Sequence, residues 1–348
     1  MVTVRDVAAR AGVSPRTVSN VVNEHPHVSA ETRRRVELAI SETGYRPNLT
    51  ARSLRQGRSG LIGLVVPEVD VPYFAELTRA FIDVLGEEYT LVVDQTDGRP
   101  ERERDVVFHR GRAGLFDGLI LNPLQLGADE LARRGPGTPL VLIGEQVTSE
   151  LFDHVVIDNV EAAREAVRHL TSQGRRRIAV VGGERESWTH TTMLRAQGYR
   201  EALEEAGLPY RDGLDARTGA LHRADGARAM AHLLSSGERP DAVFCLNDLV
   251  ALGALRTLAT AGVRVPDDVA VVGFDDVEDG RFSTPTLTTV APDKAQIARL
   301  AVERLRLRMA GDTSPGATIV ADHRLVVRES TAGPARAEQE RRRRPPPS

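Results

Sequence analysis

From Leu61 onward the chain alternates short apolar runs with stretches of helical periodicity, and that alternation limits the fold more than any other feature. LIGLVV, YTLVVD, FDGLIL, PLVLIG and HVVIDN read as strands. A second series follows in RRIAVVGG, AVFCLN and VAVVGF, with helical segments such as MLRAQGYREALEEAG and LVALGALRTLATAG between them. Strand-helix alternation builds parallel sheets covered by helices. Two such series predict two similar lobes with a break near residue 160. A chain of 348 residues also leaves room for a further domain, since one core rarely grows past about 250 residues.

The first sixty residues differ in character. They carry ten arginines against five acidic residues, net +5, so a chain of net charge −3 holds −8 elsewhere. A basic head on an acidic body suits a polyanion-binding module joined to something else. Within the head, Val4, Val7, Ala8 and Ala11 recur at helical spacing behind a capping Thr3. Gly12 permits a turn, and Ser14-Pro15 supplies an N-cap and a first-turn proline. In GVSPRTVSNVVN, Val18, Val21 and Val22 form one apolar stripe, with Pro15, Arg16, Ser19 and Asn20 opposite. A third helix is expected from Ser29 to Gly44, with Val36, Ala39 and Ile40 inward. Three short helices with a four-residue turn between the first two describe a helix-turn-helix, whose second helix suits the DNA major groove.

Other classes lack their marks. The longest apolar runs are too short to span a bilayer, and the N-terminus has no signal-like apolar segment. Cys245 is the only cysteine, which leaves no internal disulfide and no multi-cysteine metal site. These features fit the cytoplasm. GRSG at 57–60 is not a nucleophile elbow, VVGGERES lacks both the dinucleotide pattern and the lysine of a phosphate-binding loop, and no HExxH occurs. No catalytic set, metal or cofactor is therefore expected. A free-standing solute receptor would have no use for a DNA-reading head.

The ordered run DVA, AGVS, TVS, VVN, VSAETR, GYRPN and ARSLR resembles the head of the lactose/galactose/purine-repressor (LacI/GalR) family of bacterial transcription regulators. The similarity continues through YFAEL, DGLIL, HVVIDN, LNDLVALGAL, VPDDVAVVGFDD and TPTLTTV to VVREST, covering residues 2 to 331. It implies an all-α helix-turn-helix head on an α/β core of two parallel-sheet lobes like those of periplasmic binding proteins. The expected layout is a DNA-binding domain at 1–46, a hinge at 47–60 and an effector-binding, dimerising core at 61–331. Within the core, 61–159 and 291–320 would form lobe one, and 160–290 and 321–331 lobe two. Residues 332–348 would be a disordered tail.

The resemblance also assigns roles. Pro15, Arg16 and Asn20 would read bases: a guanidinium can grip guanine bidentately, while Pro15 departs from the polar or aromatic residues common in the family and offers only apolar contact. Ser14, Thr17 and Asn23 are expected on phosphates, which position without reading. In the hinge, Leu54, with Ala51 and Arg55 beside it, would wedge into the minor groove. Ligands of open α/β sheets bind at strand carboxyl ends. Tyr73 and Phe74 are thus expected to stack on an effector, and the resemblance implies that Arg195, Asn247 and Asp275 hydrogen-bond it. Asp248 is expected to cap the following helix. Trp188 reads equally as pocket wall or surface loop, and Leu221 or His222 would add a wall. The expected partners are double-stranded operator DNA, a second copy of the chain, and a small effector. A sugar is the first expectation and a purine the second.

Overall fold

The structure is a computed structural model that describes residues 2–22, 25–45, 58–108, 115–135, 137–147, 149–183 and 190–332. The chain divides into two compact units, Met1–Gly60 and Leu61–Ser348. In the first, helices α1 (Val4–Ala11), α2 (Pro15–Val22) and α3 (Ala30–Thr43) enclose a small core. Thr3 and Asp6 form a capping box at the start of α1, and Gly12, at φ 64°, ends it in the left-handed region that glycine adopts without a Cβ penalty. Ser14 Oγ accepts from the Thr17 amide at 3.1 Å and so caps α2. Val7, Ala8, Ala11, Val18, Val21, Val36 and Ala39 are buried together, with Ile40 at their margin. The Arg10–Glu42 ion pair, 2.7 Å, ties α1 to α3 across the surface.

The second unit holds two six-stranded sheets. Strands β1 (Leu61–Val66), β2 (Thr90–Gln95), β3 (Gly118–Leu121), β4 (Leu140–Ile143), β5 (Asp153–Ile157) and β11 (Thr318–Ala321) lie in the order β11-β5-β4-β3-β1-β2. Strands β6 (Ile178–Val181), β7 (Asp215–Ala216), β8 (Ala242–Cys245), β9 (Ala270–Phe274), β10 (Thr288–Pro292) and β12 (His323–Val326) lie in the order β12-β10-β9-β8-β6-β7. All pairings are parallel except one: β12 runs antiparallel to β10, where wholly parallel sheets were expected. The central strands are buried throughout and are apolar at nearly every position, as strands covered on both faces must be.

Helices α4 (Pro72–Leu85), α5 (Pro100–Phe108) and α6 (Ala128–Leu131) follow the strands of the first sheet. Helices α7 (Asn159–Ser172), α8 (His190–Glu205), α9 (Arg223–Ser235), α10 (Asp248–Thr260) and α11 (Glu278–Arg281) accompany the second. Helix α12 (Lys294–Met309) returns to pack on α4, β3, β4 and β5. It sits close because Gly118 has no side chain: a Cβ there would meet Leu305 at 2.8 Å. The chain therefore passes between sheets three times, after β5, after β10 and between β11 and β12. Strand β10 stays with the second sheet through Pro292, just beyond the crossing expected at 291.

Candidate functional site

On the head, the face of α2 opposite its buried valines carries Pro15 and Arg16, both exposed, and Asn20, half-buried. The Ser14 and Thr17 hydroxyls lie 2.9 Å apart at the helix start, where unpaired backbone N–H groups and the helix dipole favour an anion. Asn23 and the hinge residues Ala51, Leu54 and Arg55 lie outside the described residues.

In the core, a cavity of ≈ 310 Å³ opens between the strand ends of the two sheets. Tyr73, Phe74, Arg195, Leu221, His222, Asn247 and Asp275 all line it, so seven residues from five segments of sequence converge. Trp188 lies outside the described residues. Tyr73 and Phe74 open α4 and pack edge to face, with ring centroids 5.3 Å apart and planes at 74°. Burial raises the Tyr73 hydroxyl's pKa and the charges of Asp275 and Glu145 raise it further, so it stays neutral. With Leu221 these rings supply an apolar surface.

Opposite lie the polar groups of lobe two. Arg195, on α8, is stacked 3.5 Å from the Phe274 ring centroid. Its Nε donates to Asn159 Oδ1 at 2.8 Å and its Nη1 to the Leu246 carbonyl at 2.5 Å, leaving Nη2 3.6 Å from Asp275 Oδ1. The guanidinium is thus fixed on three sides before any ligand arrives. Asp275 and Asp276 follow β9 with φ of 118° and 49°, conformations that cost of order 1–3 kcal/mol each and persist only where the surroundings enforce them. Here they do. The Asp275 amide donates to Val290 O at 2.8 Å, and Lys294 Nζ donates to the carbonyls of both residues, at 2.5 and 3.2 Å. Burial pushes the Asp275 carboxyl up to about 6, against the pull of Arg195 and Lys294.

Asn247 and Asp248 reverse their expected roles in part. Asn247, not Asp248, caps α10: its Oδ1 accepts from the Val250 amide at 2.8 Å while its Nδ2 donates to Leu221 O at 2.9 Å. Its amide therefore shapes the cavity wall as well as lining it. Asp248 is fully buried behind the site, accepting from Thr289 Oγ1 at 2.6 Å and from the Val277 amide at 2.9 Å. Gly273 makes room for it, because a Cβ at 273 would overlap its carboxylate. Burial, with Asp275 nearby, drives the Asp248 carboxyl well above the usual carboxylate range. Asp276 is buried as well. Burial alone would raise it, but the ion pairs with Arg328, 2.5 Å, and Arg281, 3.0 Å, outweigh that and hold it low.

The sequence reading missed several lining groups. Glu68, Asn122 and Glu145 follow β1, β3 and β4, and Thr218 follows β7. The strand-end rule applied to lobe one beyond its first helix finds the first three. Thr218 follows a two-residue strand that no periodicity reveals.

Residues 3–48 match the model of bacterial regulatory proteins of the lacI family, and residues 167–331 that of a periplasmic binding protein-like domain. The chain is 35% identical over 345 residues to the HTH-type transcriptional repressor PurR of Salmonella arizonae, covering 97% of this chain and 99% of that protein. The chain belongs to the LacI family. As a LacI-family member it is a DNA-binding transcriptional repressor with an effector-responsive core. Among solved structures, the lac repressor dimer bound to operator and the anti-inducer ONPF superposes with a TM-score of 0.80 at 29% identity, covering 95% of this chain and 99% of that one. The complex of the transcriptional regulator CelR with cellobiose superposes with a TM-score of 0.70 at 33% identity, covering 95% and 100%. These relatives of the LacI-family chain are regulators rather than enzymes. Among its described residues no helix is long and apolar enough to cross a membrane.

Proposed function

We propose that this repressor acts in the cytoplasm as a homodimer on a palindromic operator and is controlled by a sugar bound between the two lobes of its core. The head at 1–46 reads DNA, with Arg16 and Asn20 on base edges, Pro15 in apolar contact, and Ser14, Thr17 and Asn23 on phosphates. The hinge at 47–60 couples head to core, with Leu54, flanked by Ala51 and Arg55, as the minor-groove wedge. The core at 61–331 takes the effector and the second copy.

The observation that carries the sugar reading is the division of the cavity into an apolar surface, made by Tyr73, Phe74 and Leu221, and a polar rim, made by Arg195, Asn247, Asp275, Glu145 and His222. A pyranose has this division: C–H faces that lie on aromatic rings and an edge of hydroxyls that both donate and accept. The cellobiose bound by the related CelR supports the same chemistry. A purine is the second reading, favoured by the aromatic pair and by the likeness to PurR.

Calorimetric titration with cellobiose and other neutral sugars, beside hypoxanthine and guanine, decides between them. A sugar should bind and change operator affinity, and Arg195→Ala should abolish that response while operator binding persists. Loss of a hydrogen-bonding partner from so buried a site costs about 1–3 kcal/mol. Binding of a purine without response to any sugar would overturn the sugar reading.

A further inference from the structure

The cavity's charges are unequal in what they have left to offer. Among the described residues, each basic side chain near it already has an acceptor. Arg195 is held by Asn159, Leu246 and Asp275. Lys294 binds Glu76 Oε2 at 2.7 Å as well as the two carbonyls. His222 Nε2 lies 3.4 Å from Glu68 Oε2. Glu145 stands otherwise: its Oε2 accepts from Thr191 Oγ1 at 2.6 Å, its Oε1 from the Ile157 amide at 3.4 Å, and no cation pairs with it among the described residues. A carboxylate has about four lone-pair sites, so acceptor capacity remains. Thr218 adds a second unspent group. It is 6% exposed, lines the cavity, and its hydroxyl has no partner among the described residues, a condition that is unfavourable until something polar meets it.

We infer that Glu145 and Thr218 are specificity residues that make this cavity accept an uncharged, hydroxyl-bearing sugar and reject its phosphorylated form. This rests on the sugar reading above and goes beyond it. Glu145 approaches from lobe one and Asp275 from lobe two, so a ligand between them is flanked by carboxylates on both sides. Hydroxyl donors gain charge-assisted hydrogen bonds from such groups. A phosphate would meet two like charges and, among the described residues, no cation free of an acceptor, in a site where water screens poorly. Thr218 can donate to or accept from a ring hydroxyl, which completes its own bonding.

The test titrates glucose, cellobiose and trehalose against glucose 6-phosphate, cellobiose 6-phosphate and trehalose 6-phosphate, with operator affinity measured alongside as the check on folding. Each neutral sugar that binds should do so at least about tenfold more tightly than its phosphate, as expected for like charges brought together out of bulk water. Glu145→Gln should shrink that ratio to about threefold or less, since it keeps the shape and removes the charge. Thr218→Val should weaken the neutral sugar about tenfold, and Thr218→Ser should restore it. A phosphate that binds as tightly as its parent sugar, or a ratio unchanged in Glu145→Gln, overturns the inference while leaving the sugar reading intact. Binding of hypoxanthine with silence from every sugar overturns both.

Discussion

Strand β11 closes the edge of lobe one parallel to β5, whereas β12, at the matching edge of lobe two, runs antiparallel to β10. The remaining five strands of each lobe are laid down in the same order, so the edge is where the lobes part. After β12 the chain folds back under β9 and β10. There Ser330 Oγ donates to Val271 O at 2.6 Å and accepts from the Thr288 amide at 2.8 Å, while Arg328 pairs with Asp276. Lobe two thus backs its ligand-facing turn with a buried polar lattice of Asp248, Asp276, Thr288, Thr289, Arg328 and Ser330. Lobe one keeps its main buried acids away from the turn that carries Glu145. Asp153 pairs with Arg304 and Arg308, and Glu103 caps the loop after β3. Its edge strand β2 leaves Val92 and Val93 exposed. The same topology therefore serves two ends: one lobe fixes Arg195 and Asp275 in place, and the other brings rings and a carboxylate to them.

The largest expected effect breaks lobe two's lattice. Arg328 and Asp276 are 7% and 5% exposed, and removing one partner of a buried ion pair costs about 3–5 kcal/mol where the other is left poorly compensated, as Asp276 would be with only the ion pair to Arg281, whose side chain is 54% exposed. Arg328→Ala should lower the unfolding free energy by that amount in urea titrations. Arg304→Ala in lobe one should cost much less, since Arg308 Nε, at 2.7 Å, and the Ala317 amide, at 3.1 Å, still hold Asp153. Equal losses in the two variants would erase the distinction between the lobes.

A smaller effect tests lobe one's own device. Glu103 is fully buried and accepts from the amides of Leu124, Gln125 and Leu126 at 2.9, 3.1 and 2.9 Å. Glu103→Ala would strand these donors, at a cost of about 1–3 kcal/mol. Because Asn122 and Leu124 border the cavity, hydrogen exchange should speed up at 124–126 and leave 270–290 untouched. Faster exchange in both segments would mean that the lobes share one polar frame.

Much of this was legible in the sequence where local pattern decides. The three helices of the head were readable because caps and stripes are local. So were the central strands, because burial on both faces makes their runs apolar. Arg195, Tyr73, Phe74 and Asp275 were found because strand ends point at the cleft. What was not legible depends on distant partners. That Asn247 and not Asp248 would cap α10 follows from Gly273, which draws the neighbouring carboxylate inward. Lys294 meets Glu76 across 218 residues, and Arg328 finds Asp276 across 52. Neither span leaves a mark in a window of sequence. The direction of β12 is likewise set by the tight crossing from β11, which no periodicity encodes.

The smallest effect concerns pH, and it isolates the ligand-facing carboxyl of lobe two. Burial raises Asp275 from the ordinary 3.8 to about 6. The folded protein therefore holds this proton more tightly than the unfolded chain does. Its contribution to stability is fully present below about pH 4 and is lost as pH rises through 6. Ligand binding runs the other way, because the ionised carboxylate is the better acceptor for hydroxyls. Sugar affinity should rise about tenfold from pH 5 to pH 7 and level off above, one pH unit below the pKa corresponding to a tenfold deficit of the ionised form. Calorimetry across that range measures it, and Asp275→Asn should flatten the rise while lowering affinity throughout. If the rise survived in Asp275→Asn, it would belong to another group at the cavity, and the fixed lobe would not be the one that senses protons.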